Sequence, residues 1–153
     1  MRYVIFYFFF VIFFACNALA EIAGYDEAKA YAVFIQKMAN SAETEKNKIF
    51  CIVGGDEVSK FFVNDNIDVN PKKYDHCKVV YLAQDIKKIF RIEVDKFNKK
   101  RIPTIAVFDN FVEGGGTFRV ELGRRDFEIT MNSKTAKDFS VKLNSTFVTL
   151  VIN

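Results

Sequence analysis

Cys51, His76 and Cys77 are the residues of this chain best equipped for chemistry: two soft sulfur atoms and, next to one of them, the sequence's single histidine. Nucleophilic catalysis wants a thiol or hydroxyl beside a base that a third group orients. A zinc centre wants three or four ligands drawn from Cys, His and carboxylates. One histidine beside cysteines that read as a disulfide supplies neither, so His76 is expected at the surface or at a strand end.

The second candidate is Gly114-Gly115-Gly116. A phosphate cradle needs such glycines to be followed by Lys and then Ser or Thr at the N-terminus of a helix. Here Gly116 runs into Thr117 and an alternating strand pattern, so the glycines read as a flexible loop before a hairpin. The acidic pairs Asp56-Glu57 and Glu93 with Asp95 have spacings normal for solvated helix faces and define no general acid and base. Asn144-Ser145-Thr146 fits a glycosylation sequon. No residue set reads as catalytic, cofactor-binding or metal-ligating, and the expectation is a protein that is not an enzyme.

The first twenty residues set the cysteine count. Arg2 is a positive n-region, Val4 to Ala15 an apolar h-region, and Ala18-Leu19-Ala20 offers the small residues a signal peptidase reads. The apolar run is shorter than the roughly 20 residues a spanning helix needs. Cleavage is expected between Ala20 and Glu21, leaving 21–153 as one domain of an exported protein. That cut removes Cys16 from the three cysteines and Arg2 from the formal charge of +3, leaving two cysteines and +2. In an exported protein a pair of cysteines is read first as a disulfide. A charge this small carries no signature of nucleic-acid binding.

These residues must be positioned by alternating helices and strands. Gly24 to Ala39 carries Ala28, Tyr31, Phe34, Ile35 and Met38 at helical spacing. Lys48 to Gly54 is a short apolar run suited to a strand buried on both faces. Asp56 caps a short helix to Phe62, and Asn64 to Asp75 is a loop with one edge strand. Cys77 to Leu82 repeats the buried-strand pattern, Asp85 to Asn98 is amphipathic with Ile86, Ile89, Phe90, Val94 and Phe97 as its stripe, and Thr104 to Phe108 is a third apolar strand. Both cysteines then sit at the starts of neighbouring strands, where a bridge is geometrically reasonable. Such a link stabilises by roughly 3 to 4 kcal/mol in the chain-entropy account.

Phe118, Val120 and Leu122, then Phe127, Ile129 and Met131, alternate with polar residues across a turn at Gly123 to Arg125. They predict an antiparallel hairpin, followed by a helix capped by Asn132 or Ser133 with Ala136 and Phe139 inward. The expected fold class is α/β: a three-layer sandwich with a mixed, mostly parallel sheet, a C-terminal antiparallel hairpin and helices on both faces.

An ordered series of these segments resembles the YfiR-like periplasmic proteins, the DUF4154 domain. The series is Lys29-Ala30-Tyr31 with Phe34, Phe50-Cys51-Ile52-Val53-Gly54, Cys77-Lys78-Val79-Val80-Tyr81-Leu82, and a Gly-Gly, hairpin, Phe127-Glu128-Ile129, helix and Asn144-Ser145-Thr146 ending with Leu150. It spans essentially all of 21–153. The chain departs from the family in having no Trp, in Thr130 where Asn follows Phe-Glu-Ile, and in lacking a second cysteine pair. The resemblance implies a periplasmic regulator, often a homodimer, without cofactor. Such a regulator binds the periplasmic sensor part of an inner-membrane diguanylate cyclase, lowers cyclic-di-GMP synthesis, and is sequestered by an outer-membrane lipoprotein. Exposed aromatics of the first helix, the loop Phe108 to Phe111 and Gly114 to Gly116 are the expected contact residues. The alternative class is a periplasmic small-ligand-binding module using the crevice at the strand ends.

Overall fold

A computed structural model describes residues 24–41, 48–62, 66–124, 126–139 and 149–152. The expected leader with its Ala20/Glu21 cleavage point and the 144–146 sequon lie outside the described residues. The chain opens with a helix, α1 (residues 24–41). It continues with β1 (Ile49–Val53), β2 (Ile67–Val69), β3 (Cys77–Leu82), α2 (Phe90–Lys99) and β4 (Thr104–Ala106). It closes with the hairpin β5 (Phe118–Leu122) and β6 (Phe127–Asn132), then α3 (Ser133–Asp138) and β7 (Thr149–Ile152).

The seven strands form one sheet in the order β2-β1-β3-β4-β5-β6-β7. Neighbours are parallel except β5 and β6, which pair antiparallel from Phe118↔Met131 to Leu122↔Phe127. The expected α/β sandwich is therefore the fold. Its layering follows from the order of the strands. β1 to β2 crosses the sheet one way and β3 to β4 the other, so right-handed crossovers must place their connecting segments on opposite faces. Val58, Phe61 and Phe62, from the first crossover, pack on the face that carries α1 and α3, against Phe50, Ile52, Val79 and Tyr81. The second crossover puts Phe90, Val94 and Phe97 of α2 on the other face, against Val80, Leu82 and Ala106.

α1 docks through Ala28, Ala32, Ile35, Met38 and Ala39. The alanines let its axis approach the sheet, while Ile35 and Met38, with no more than 1% of their surface exposed, each contribute roughly 1.5 to 3 kcal/mol of apolar burial. Tyr31 and Phe34 flank this stripe: Phe34 stacks on Phe127 at 4.6 Å, and the Tyr31 hydroxyl accepts the Leu122 N–H at 2.7 Å, fixing α1 to the hairpin.

The expected second amphipathic helix begins later than its pattern suggested. Gln84–Ile86 is a 3-10 turn, and the α-helix starts at Phe90. The stripe Phe90, Val94, Phe97 follows the i, i+4, i+7 rule from that start, which leaves Ile89 half exposed at 50% instead of buried. β4 stops at Ala106, and the chain bends at Val107 and Phe108. Asn132 is the cap of α3, its Oδ1 accepting the Thr135 N–H at 3.2 Å.

Candidate functional site

In the order β2-β1-β3 the chain leaves β1 toward one edge and returns to pair with its other side. The carboxyl ends of β1 and β3 therefore flank the switch point where doubly wound sheets open a crevice. Gly54, at φ +85°, turns the chain there, and its N–H donates to Asn70 Oδ1 at 2.8 Å. Asp85 packs against Gly54 so closely that a Cβ would overlap the carboxylate.

Asp56 lies at this end of the sheet, tied to the carboxyl end of β3. Its Oδ1 accepts the Ser59 N–H at 2.7 Å, and its Oδ2 accepts both the Tyr81 hydroxyl and the Gln84 N–H at 2.8 Å. The expectation of a solvated acidic pair is corrected for Asp56, whose carboxylate joins the first crossover to the end of β3. Glu57 is the solvated member, ion-paired with Lys60. The second pair is corrected in the same way: Glu93 is 8% exposed, on the buried side of α2 with its carboxylate held by Lys96, and only Asp95 faces solvent. Burial, and then the adjacent Asp56 carboxylate, push the Tyr81 phenol far above the ordinary phenol range.

A phenol held neutral by the fold adds stability that is complete below the unfolded value near 10 and is lost as pH rises above it. Alkaline absorbance titration is expected to show Tyr81 ionising only as the chain unfolds. Tyr81→Phe is expected to remove that coupling and to lower stability by about 1.5 kcal/mol, at the lower end for a hydrogen bond to a charged group, because Gln84 still satisfies Asp56. Ionisation of every tyrosine before the loss of far-ultraviolet circular dichroism would contradict this assignment.

The glycine loop lies between β4 and β5. Phe108 and Phe111 beneath it are 3% and 0% exposed, so the expectation of exposed aromatics at Phe108 to Phe111 is corrected: both rings serve the core. A Cβ on Gly114 would overlap the Phe90 ring and one on Gly116 the Phe111 ring, while Gly115 needs φ +100°. Gly114 and Gly115 remain partly exposed and Gly116 is buried.

On the α2 face, Cys51 and Cys77 form the expected disulfide, with Cα atoms 5.6 Å apart. Cys77 does start β3, but Cys51 lies in the middle of β1. The pair meets because the register shifts between Ile49 and Phe50: Ile49 faces Cys77, and Phe50 faces Val79. The extra residue, Lys78, is a β-bulge. Without it Cys77 would share the α1 face with Val79 and Tyr81; with it Cys77 joins Cys51 and Val80 on the α2 face. His76 is half exposed, as expected of a strand end. Its Nε2 lies 2.8 Å from Oδ2 of Asp68, the β2 residue in register with Cys51. The neighbouring Lys78 ammonium has its proton affinity lowered by burial and meets Asn40 Oδ1 at 3.3 Å.

A shallow, mostly apolar groove of about 420 Å³ runs between the outer side of α1 and the start of β6, lined by Asp26, Lys29, Val33, Phe34, Lys37 and Phe127. Tyr25 and Val33 on the same helix are exposed. No described helix is long and apolar enough to cross a membrane. No protein-family model matches the chain, and no curated protein matches it.

Proposed function

We propose that the chain is an exported, non-catalytic signalling regulator that acts in the periplasm. It binds the periplasmic sensor part of an inner-membrane diguanylate cyclase and holds cyclic-di-GMP synthesis down. The observation that carries this reading is where the family-like motifs fall. Phe50–Gly54 are β1 and its glycine turn, Cys77–Leu82 are β3, and Phe127–Ile129 enter β6, so the resemblance follows the frame of the sheet rather than scattered surface positions. The leader-like first twenty residues and the disulfide, a bond that persists in oxidising compartments, support export. Repression requires higher affinity for the inactive arrangement of the sensor than for the active one.

Crosslinking of the tagged chain in its native envelope, followed by mass spectrometry, is expected to capture a membrane protein with a cytoplasmic cyclase domain. It would also locate the contact on α1 or on the Gly114–Gly116 loop, and report any self-dimer or outer-membrane lipoprotein in the same sample. Recovery of monomer and self-dimer alone, under conditions that trap a known envelope complex, would overturn the reading. The apolar groove beside α1 favours a second one, a periplasmic small-ligand-binding module. Solute-dependent melting of the purified chain distinguishes it, since a bound ligand raises the melting temperature.

A further inference from the structure

The bulge that turns Cys77 toward Cys51 also brings His76 into the same cluster. The two sulfurs and an imidazole nitrogen lie within 4.8 Å of one another. Asp68 holds the imidazole through Nε2 at 2.8 Å. A carboxylate that orients a histidine in this way is the usual outer partner of a metal-bound imidazole, fixing its tautomer and raising its basicity. Tetrahedral zinc takes sulfur at about 2.3 Å and nitrogen at about 2.0 to 2.1 Å, so its ligand atoms stand roughly 3.4 to 3.8 Å apart. The imidazole nitrogen, within 4.8 Å of both sulfurs, has at most about 1 Å to close to reach that spacing, while the sulfurs, joined to each other, must separate.

We propose that Cys51, Cys77 and His76, with Asp68 orienting the imidazole, form a redox-gated site for a thiophilic divalent cation such as Zn²⁺, closed as the disulfide and opened as the dithiol. A dithiol reductant supplies two electrons and two protons to the S–S bond and leaves as its own disulfide. Each cysteine thiol then releases its proton on binding the cation, and the neutral imidazole binds through one nitrogen. Two thiolates cancel the charge of the cation, leaving the fourth position to water. Cys51 and Cys77 are 0% and 1% exposed, whereas the His76 side chain is 40% exposed, so reductant and cation approach past the imidazole. The site stands independently of the proposed repressor role.

The test is a Co²⁺ titration of the purified chain under anaerobic conditions after reduction with a phosphine, which leaves no competing thiol. One Co²⁺ per reduced chain, with a sulfur-to-cobalt charge-transfer band and the visible bands of a tetrahedral site, is the expected result, with neither in the oxidised chain. Asp68→Asn is expected to weaken binding about tenfold, and His76→Ala, which removes a ligand, by tenfold or more. Both variants keep the disulfide, so their folding is checked in the oxidised state before reduction. Where the reduced chain loses its fold, Co²⁺ is expected to restore the circular dichroism of the oxidised one. The proposal is overturned by the absence of the charge-transfer band, by His76→Ala and Asp68→Asn binding as tightly as the wild type, or by a band formed on a chain that stays unfolded.

Discussion

Replacing Cys51 and Cys77 together by alanine is expected to lower the unfolding free energy by about 3.5 kcal/mol, from the loop-closure entropy of a link between residues 26 apart in sequence. The mechanism sits in the unfolded chain. The bridge ties β1 to β3 across the whole of β2 and the loop that follows it, so the oxidised unfolded chain cannot explore conformations in which those strands are far apart. The folded state loses less, since both sites sit in the α2-face cluster and alanine fills most of the volume of a cysteine. Urea unfolding of the oxidised wild type and the double variant measures the difference. The midpoint is expected to fall, and m to rise as the unfolded state expands. A loss below about 1 kcal/mol would mean that the unfolded chain already keeps β1 and β3 together, the residual structure that makes chain-entropy values overestimates.

The cysteine pair also shows what the sequence reveals and where it stops. Pairing followed from counting and from the expected compartment. The hairpin and its strand pairing were legible, because a period of two residues states directly which side chains share a face, although at its turn Leu122 is 49% exposed and in β6 Thr130 is buried. Cys77–Leu82 was legible as an unbroken apolar run. The bulge at Lys78 was not: a single inserted residue leaves no mark in a strand that is apolar on both faces, and yet it decides which face receives Cys77. Contacts between residues distant in sequence were equally silent. Asp56 reads as half of an acidic pair until the fold brings the Tyr81 hydroxyl to it, and Asp68 reads as a loop acid until β2 pairs beside β1 and sets it against His76. Where α2 starts was obscured for a related reason, since Ile86 and Ile89 extend the apolar pattern upstream although the chain is bent into a 3-10 turn beside Asp56.

Phe111→Ala is expected to cost about 3 to 5 kcal/mol, the range for emptying a buried phenylalanine site. Phe111 is fully buried, with Phe90 and Phe108 rings at 5.7 and 5.2 Å, and the glycine loop packs on Phe90 through Gly114 and on Phe111 through Gly116. Gly116→Ala is expected to cost about 1 to 3 kcal/mol by overpacking, because its new Cβ would enter the Phe111 ring. Gly116 lies outside the left-handed region, so this cost measures the overlap and not backbone strain. Combining the two substitutions separates the possible reasons for a glycine here. If the ring is what excludes a side chain, the methyl group added by Gly116→Ala fits the space that Phe111 vacates, and the double variant is expected to lose at least about 1 kcal/mol less than the sum of the single ones. Additive losses would show that Gly116 answers to something other than Phe111. Coupled losses would assign Gly116 to packing and leave Gly114 and Gly115, the partly exposed members of the run, as the positions where a partner could touch this loop.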